Sequence, residues 1–147
     1  MDDIAIDDLA VRFLARTLLK EEWTHAAHLA IGAWHVHTFG PEDAIQRLRA
    51  GIRTLNDQHG TANSDTGGYH ETITIAYVRL IDQFLSRFDP SVSINRRVET
   101  MVRGPFSDRT LLLRFWFRAL LMSPAARAVW TPPDLVPLLW ANGVAGP

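Results

Sequence analysis

Apolar residues recur along this chain at intervals of three and four, and alternation of period two is hard to find, so the pattern predicts helices nearly throughout. A first helix is expected over about Ile6 to Leu18, with Leu9, Phe13, Leu14 and Leu18 facing inward and Asp7 and Asp8 at its positive end. Thr24 caps a second, running from Ala26 to Phe39 and stopped by Gly40, with Trp23 packing back over its first turn. Pro41 opens a third, whose stripe is Ile45, Leu48, Ile52 and Leu55 and whose end is His59-Gly60. Residues 60–68 form a polar loop, and a fourth helix starts near Tyr69 or His70 and ends near Phe88.

Ser93 to Val102 makes a fifth helix, and Ser107-Asp108 starts a sixth through Leu113 to Phe117. Ser123-Pro124 begins a short one to about Trp130. The prolines of the tail, through Pro137, predict an extended strap over the bundle. The expected fold is therefore all-α: a single helical domain over residues 1–147, a compact bundle of about six to seven helices with a Pro-rich C-terminal strap.

Composition narrows the function classes. A hydrophobic fraction of 47% is that of a globular chain, and a formal net charge of -1 gives no general attraction to nucleic acid or an anionic membrane. With no cysteine, a disulfide scaffold, a thiolate metal site and a cysteine nucleophile are all excluded. The acidic start and the lack of a long apolar run predict a cytoplasmic protein with no membrane partner. Lys20 is the only lysine among 15 basic residues. Arginines 96, 97, 103, 109, 114 and 118 read mainly as solvated faces, while Arg109 or Arg114 could grip a substrate carboxylate with two prongs.

Candidate chemistry gathers in two places. On the second helix His25 and His28 lie about 60° apart and about 4.5 Å along the axis, close enough to serve one ion or one substrate. His35 is about 15 Å from His25 along that axis, too far to share the ion. It reads as structural, as do His37 and His59, while Gly32 on the same stripe admits a close neighbour. The second place is Gly67-Gly68-Tyr69-His70-Glu71-Thr72-Ile73-Thr74, a loop entering a helix on which His70, Thr74 and Tyr77 share a face.

Together they suggest a small-molecule enzyme with one transition metal, copper, iron or zinc, held by His25, His28 and His70. Glu71 would be a fourth ligand or general base, His70 the other catalytic residue, and Trp23, Tyr69, Thr74 and Tyr77 the substrate-binding wall. Loop 60–68 would act as a lid, and the chemistry would be redox or hydrolytic. Two alternatives use the same cluster: a metal-free acid–base lyase, isomerase or cyclase, or a module that binds a small ligand without turnover. Phe115, Trp116 and Phe117, pointing around a helix from Leu111 to Leu121, offer a surface for a homodimer.

Three segments carry a resemblance. Glu22-Trp23-Thr24-His25-Ala26-Ala27-His28-Leu29, Gly68-Tyr69-His70-Glu71-Thr72-Ile73-Thr74, and Ser123-Pro124-Ala125-Ala126-Arg127 followed by Trp130-Thr131-Pro132-Pro133-Asp134-Leu135 resemble a family of short bacterial helical proteins, over roughly residues 7–138. The resemblance implies that these histidines and Glu71 belong to a shared site, and it implies no particular activity. It differs at Thr17-Leu18-Leu19-Lys20, where a leucine replaces an expected proline, and this affects the boundary of the first two helices.

Overall fold

A computed structural model describes residues 3–139, and among them there are seven α-helices and no strand. They are α1 (Asp3–Ala15), α2 (His25–Phe39), α3 (Pro41–Gln58), α4 (Glu71–Leu85), α5 (Ile94–Arg103), α6 (Arg118–Leu121) and α7 (Pro124–Ala128). The all-α expectation is met. No helix among the described residues is long and apolar enough to cross a membrane.

Helix α2 is the axle of the bundle, touching α1, α3, α4 and α5. Its sequence allows this because it is apolar nearly all round: Ala27, Leu29, Ala30, Ile31, Ala33 and Val36 are all buried. Small residues also let neighbours in, as at Gly32, where an added Cβ would stand 3.2 Å from Ile81 Cδ1. By contrast α3 is amphipathic, and buries Ile45, Leu48 and Leu55 in the expected stripe with Ile52 packed at its edge.

The helix starts follow local chemistry. Thr24, Ser93 and Ser123 each accept a hydrogen bond from the amide three residues on, and Pro41 and Pro124 occupy the first helical position. Trp23 stacks on His28 in the first turn of α2, with ring centroids 3.5 Å apart, which is the expected packing across the cap.

Three expectations are corrected. Helix α1 ends at Ala15 rather than Leu18: Arg16 adopts a left-handed φ of 62° and the Thr17 amide returns to the Arg12 carbonyl, closing the helix. Leu14 is consequently 45% exposed, while Leu18, beyond the helix, is buried and its carbonyl accepts from His59 Nε2. Arg97 is no solvated residue but a buried clamp on the carbonyls of Leu85, Val92 and Asp89.

The third correction concerns the sixth helix. Residues 108–122 fold as a 3-10 turn over Leu111–Arg114, an irregular step and the single turn of α6. Phe115 and Trp116 fall into the core at 0% exposure, leaving only Phe117 outside. The aromatic helix proposed as a dimer surface is therefore absent as such. Its backbone is instead held by the strap, where Leu135 N–H donates to Phe115 O, Phe117 N–H to Asp134, and Trp116 Nε1 to Thr131 O. The extended strap itself is as expected over residues 131–139.

Candidate functional site

The GYHET segment proves to be a structural joint. His70 caps α4, its Nδ1 accepting from the Ile73 amide at 3.1 Å, while Nε2 donates to Leu121 O at 2.7 Å. Both ring nitrogens are spent on backbone, and the tautomer is fixed with the proton on Nε2. Burial pushes this imidazole below its ordinary value, helped by the charge of Arg127 and opposed by the Leu121 bond.

Glu71, whose side chain is 12% exposed, takes a two-pronged bond from Arg49 at 2.9 and 2.6 Å and a third from the Tyr69 hydroxyl at 2.6 Å. Burial works against its charge, but these donors outweigh it and hold the carboxyl below the usual range. Tyr69 in turn is pushed up to about 12, by burial and by donating to Glu71. Thr72 Oγ donates to Val129 O and accepts from Thr131 N, tying α4 to the strap. Loop 60–68 is knitted to α3 through Asn63, which bonds Arg53 O, Asp57 and Asn56.

Neutralising this joint has a measurable cost. Glu71→Gln keeps the shape and removes the charge from a three-donor site, so unfolding free energy in urea should fall by about 2 kcal/mol. A variant as stable as the parent would contradict the joint.

The ligand set expected from sequence is thus not assembled: no group of three or more His, Asp or Glu among the described residues is placed to hold an ion. With both nitrogens bonded to backbone, His70 has no lone pair left for a metal. Glu71 likewise lines neither of the two cavities described next.

The first cavity, about 550 Å³, lies between α2, α3, α4 and the segment 109–122. Its wall is chiefly apolar, with Leu48, Ile52, Ile81 and Leu112 among the lining residues, and His25, His28, Thr74 and Tyr77 supply polar groups. His25 Nε2 donates to Phe106 O at 2.7 Å, so its proton sits there and Nδ1 is left as an acceptor. His28 is the mirror case: Nδ1 donates to Thr24 O at 2.7 Å, leaving Nε2 as the acceptor.

By surface area His28 is exposed, because it fronts the cavity, yet the protein atoms of the cavity wall enclose it. That enclosure pushes the imidazole down to about 4, against the pull of the Thr24 bond and with some help from the charges of His25 and Arg109. Tyr77, on the α4 face shared with Thr74, is pushed up to about 12 by burial and then by the charge of Asp108. Its hydroxyl has no protein partner among the described residues.

A second cavity of about 510 Å³ adjoins the first across Trp23, His28, Ile52, Ile73 and Thr74, and reaches Tyr69, His70 and Arg127. Of the expected substrate-binding residues, Trp23 and Thr74 line both cavities, Tyr77 the first and Tyr69 the second. The cavity-lining residues Thr110, Leu112, Leu113, Arg118 and Met122 were not anticipated. They sit on the segment read as a helix, where the sequence offered only Arg109 or Arg114 as a grip for a carboxylate. Comparison with protein-family models, with curated proteins and with solved structures finds no match to this chain.

Proposed function

We propose that this chain binds a small, largely apolar molecule in the first cavity and moves a proton on it without a metal. His28 Nε2 is the acceptor and the Tyr77 hydroxyl the donor. The observation that carries this is that three residues with an unspent polar group, His25 (Nδ1), His28 (Nε2) and Tyr77 (its hydroxyl), line one chiefly apolar cavity of ligand size.

The reaction class that suits them is isomerisation or elimination next to a carbonyl. The proton leaves carbon for His28 Nε2, and the electron pair moves toward the carbonyl oxygen, to which Tyr77 donates. Return of the proton to another carbon completes an isomerisation, and departure of a β-substituent completes an elimination. Thr24 O holds His28 in the tautomer this requires.

The test is hydrogen–deuterium exchange in heavy water, followed by NMR over a panel of small aryl ketones and hydroxy acids. A substrate should show exchange at one carbon, reduced about a hundredfold in His28→Ala and less in Tyr77→Phe. Undiminished exchange in both variants would remove the assignment. The low position of His28 favours a second reading, in which the same groups only bind, since a weakly basic imidazole accepts a hydrogen bond more readily than a carbon-bound proton. Tight binding without exchange would establish that reading.

A further inference from the structure

The charged groups lining the cavity are of one sign. Neither cavity is lined by a single Asp or Glu, whereas the first carries Arg109 and Arg118. Both arginines are exposed, and neither has an ion pair or hydrogen bond among the described residues. Elsewhere arginines facing interior space have protein partners: Arg49 on Glu71, Arg97 on three carbonyls, and Arg127 through Nη1 on Gly68 O, its Nε alone being unpartnered.

Asp108 is the nearby acid whose charge reaches Tyr77 and His25. Its Oδ1 accepts from the amide and hydroxyl of Thr110 at 2.8 and 2.7 Å, and it makes no ion pair with either arginine among the described residues. The charge of Arg109 also acts on His28, so the arginine lies within electrostatic reach of the interior polar groups.

We propose that the ligand of this cavity is an apolar acid, its carboxylate held by Arg109 and Arg118 and its body laid along Leu48, Ile52, Ile81 and Leu112. The assignment rests on the cavity being the ligand site and adds the class of ligand. A planar carboxylate matches the guanidinium fork, while the apolar part of the wall takes the body of the molecule. Because the arginines are exposed, the anion keeps part of its hydration and gives up little on binding.

The experiment is calorimetric titration of the full chain with phenylacetate and with phenylacetamide, which share a body and differ in charge. The acid should bind at least about tenfold more tightly at low ionic strength, and added salt should weaken the acid alone. In Arg109→Gln/Arg118→Gln the preference should vanish while the amide binds as before; a thermal melt matching the parent's shows that the variant is folded. Equal binding of the two probes to the parent, or a preference that survives in the variant, overturns the anion assignment and leaves the cavity reading standing. Binding of neither probe removes both.

Discussion

Gly68→Ala is expected to lower the stability of the fold by about 3 kcal/mol or more, a larger effect than any exposed substitution should produce. Gly68 has a φ of +76°, a left-handed conformation that an L side chain resists. An added Cβ would also stand 2.4 Å from Ala62 O and 2.7 Å from Asn63 Oδ1, and the first of these is backbone that cannot swing aside. The loop could yield only by giving up the Tyr69 amide bond to Asn63 and the Arg127 bond to Gly68 O, which set the entry to α4. Urea unfolding measures the loss, and a variant within 1 kcal/mol of the parent would show that the loop relaxes at small cost (about the spread of an ordinary surface change). Gly40 and Gly60 are useful controls: both have positive φ but no atom near an added Cβ, so strain without collision should cost less there.

The second large effect is acid sensitivity beginning well above the carboxylate range. His28, His35 and His70 all have imidazoles held below the ordinary value of 6.5, each primarily because burial disfavours the cation. His35 is 0% exposed within Phe13, Trp34 and Phe39, its Nδ1 donates to Ile31 O, and its Nε2 has no partner. His70 is restrained differently, since a proton on Nδ1 would oppose the Ile73 amide.

The sign follows directly. Below 6.5 the unfolded chain takes up protons that the folded chain refuses, so stability is fully present above 6.5 and declines as pH falls toward the folded values, that of His28 being about 4. For the buried His35 and His70 each unit of depression is worth about 1.4 kcal/mol, and for His28, which is exposed to solvent, less. Glu22, Glu71, Asp89 and Asp108, held below their ordinary values, give up their contribution only at lower pH. Midpoints in urea should therefore fall steadily from about pH 6.5 to about pH 5, and His35→Phe should flatten the slope. Constant stability over that range would mean that these rings are hydrated enough to protonate freely.

Much of the architecture could be read from local sequence. The starts of α2, α3, α5 and α7 rest on residues that satisfy their own neighbours' amides or need no amide: Thr24, Pro41, Ser93 and Ser123. These interactions span three residues or fewer, so residue type and spacing determine them. The α3 stripe was equally legible, because helical period alone sorts its faces.

Residues 108–122 were not legible in the same way. Leucine and aromatic residues occur there on every side, a pattern shared by a buried helix and by an irregular plug. The choice fell to bonds with a strap up to 20 residues away: Phe115 O to Leu135, Trp116 to Thr131, Phe117 to Asp134.

The proposed site draws on part of the cluster that the sequence singled out. Helical spacing put His25 and His28 together and Thr74 beside Tyr77, and those four do line one cavity. His70 and Glu71 looked equally available, since the local bonds from the Ile73 amide and the Tyr69 hydroxyl leave each with further polar atoms. Those are taken up by Leu121, 51 residues on from His70, and by Arg49, 22 residues back from Glu71. Whether a polar side chain acts on a ligand or holds the fold depends on which of its lone pairs and protons remain unspent. Residue types and short-range spacing determined this chain's helices and which residues could do chemistry. Only tertiary packing, which brings distant donors and acceptors within about 3 Å, decided which of them are still free to do it.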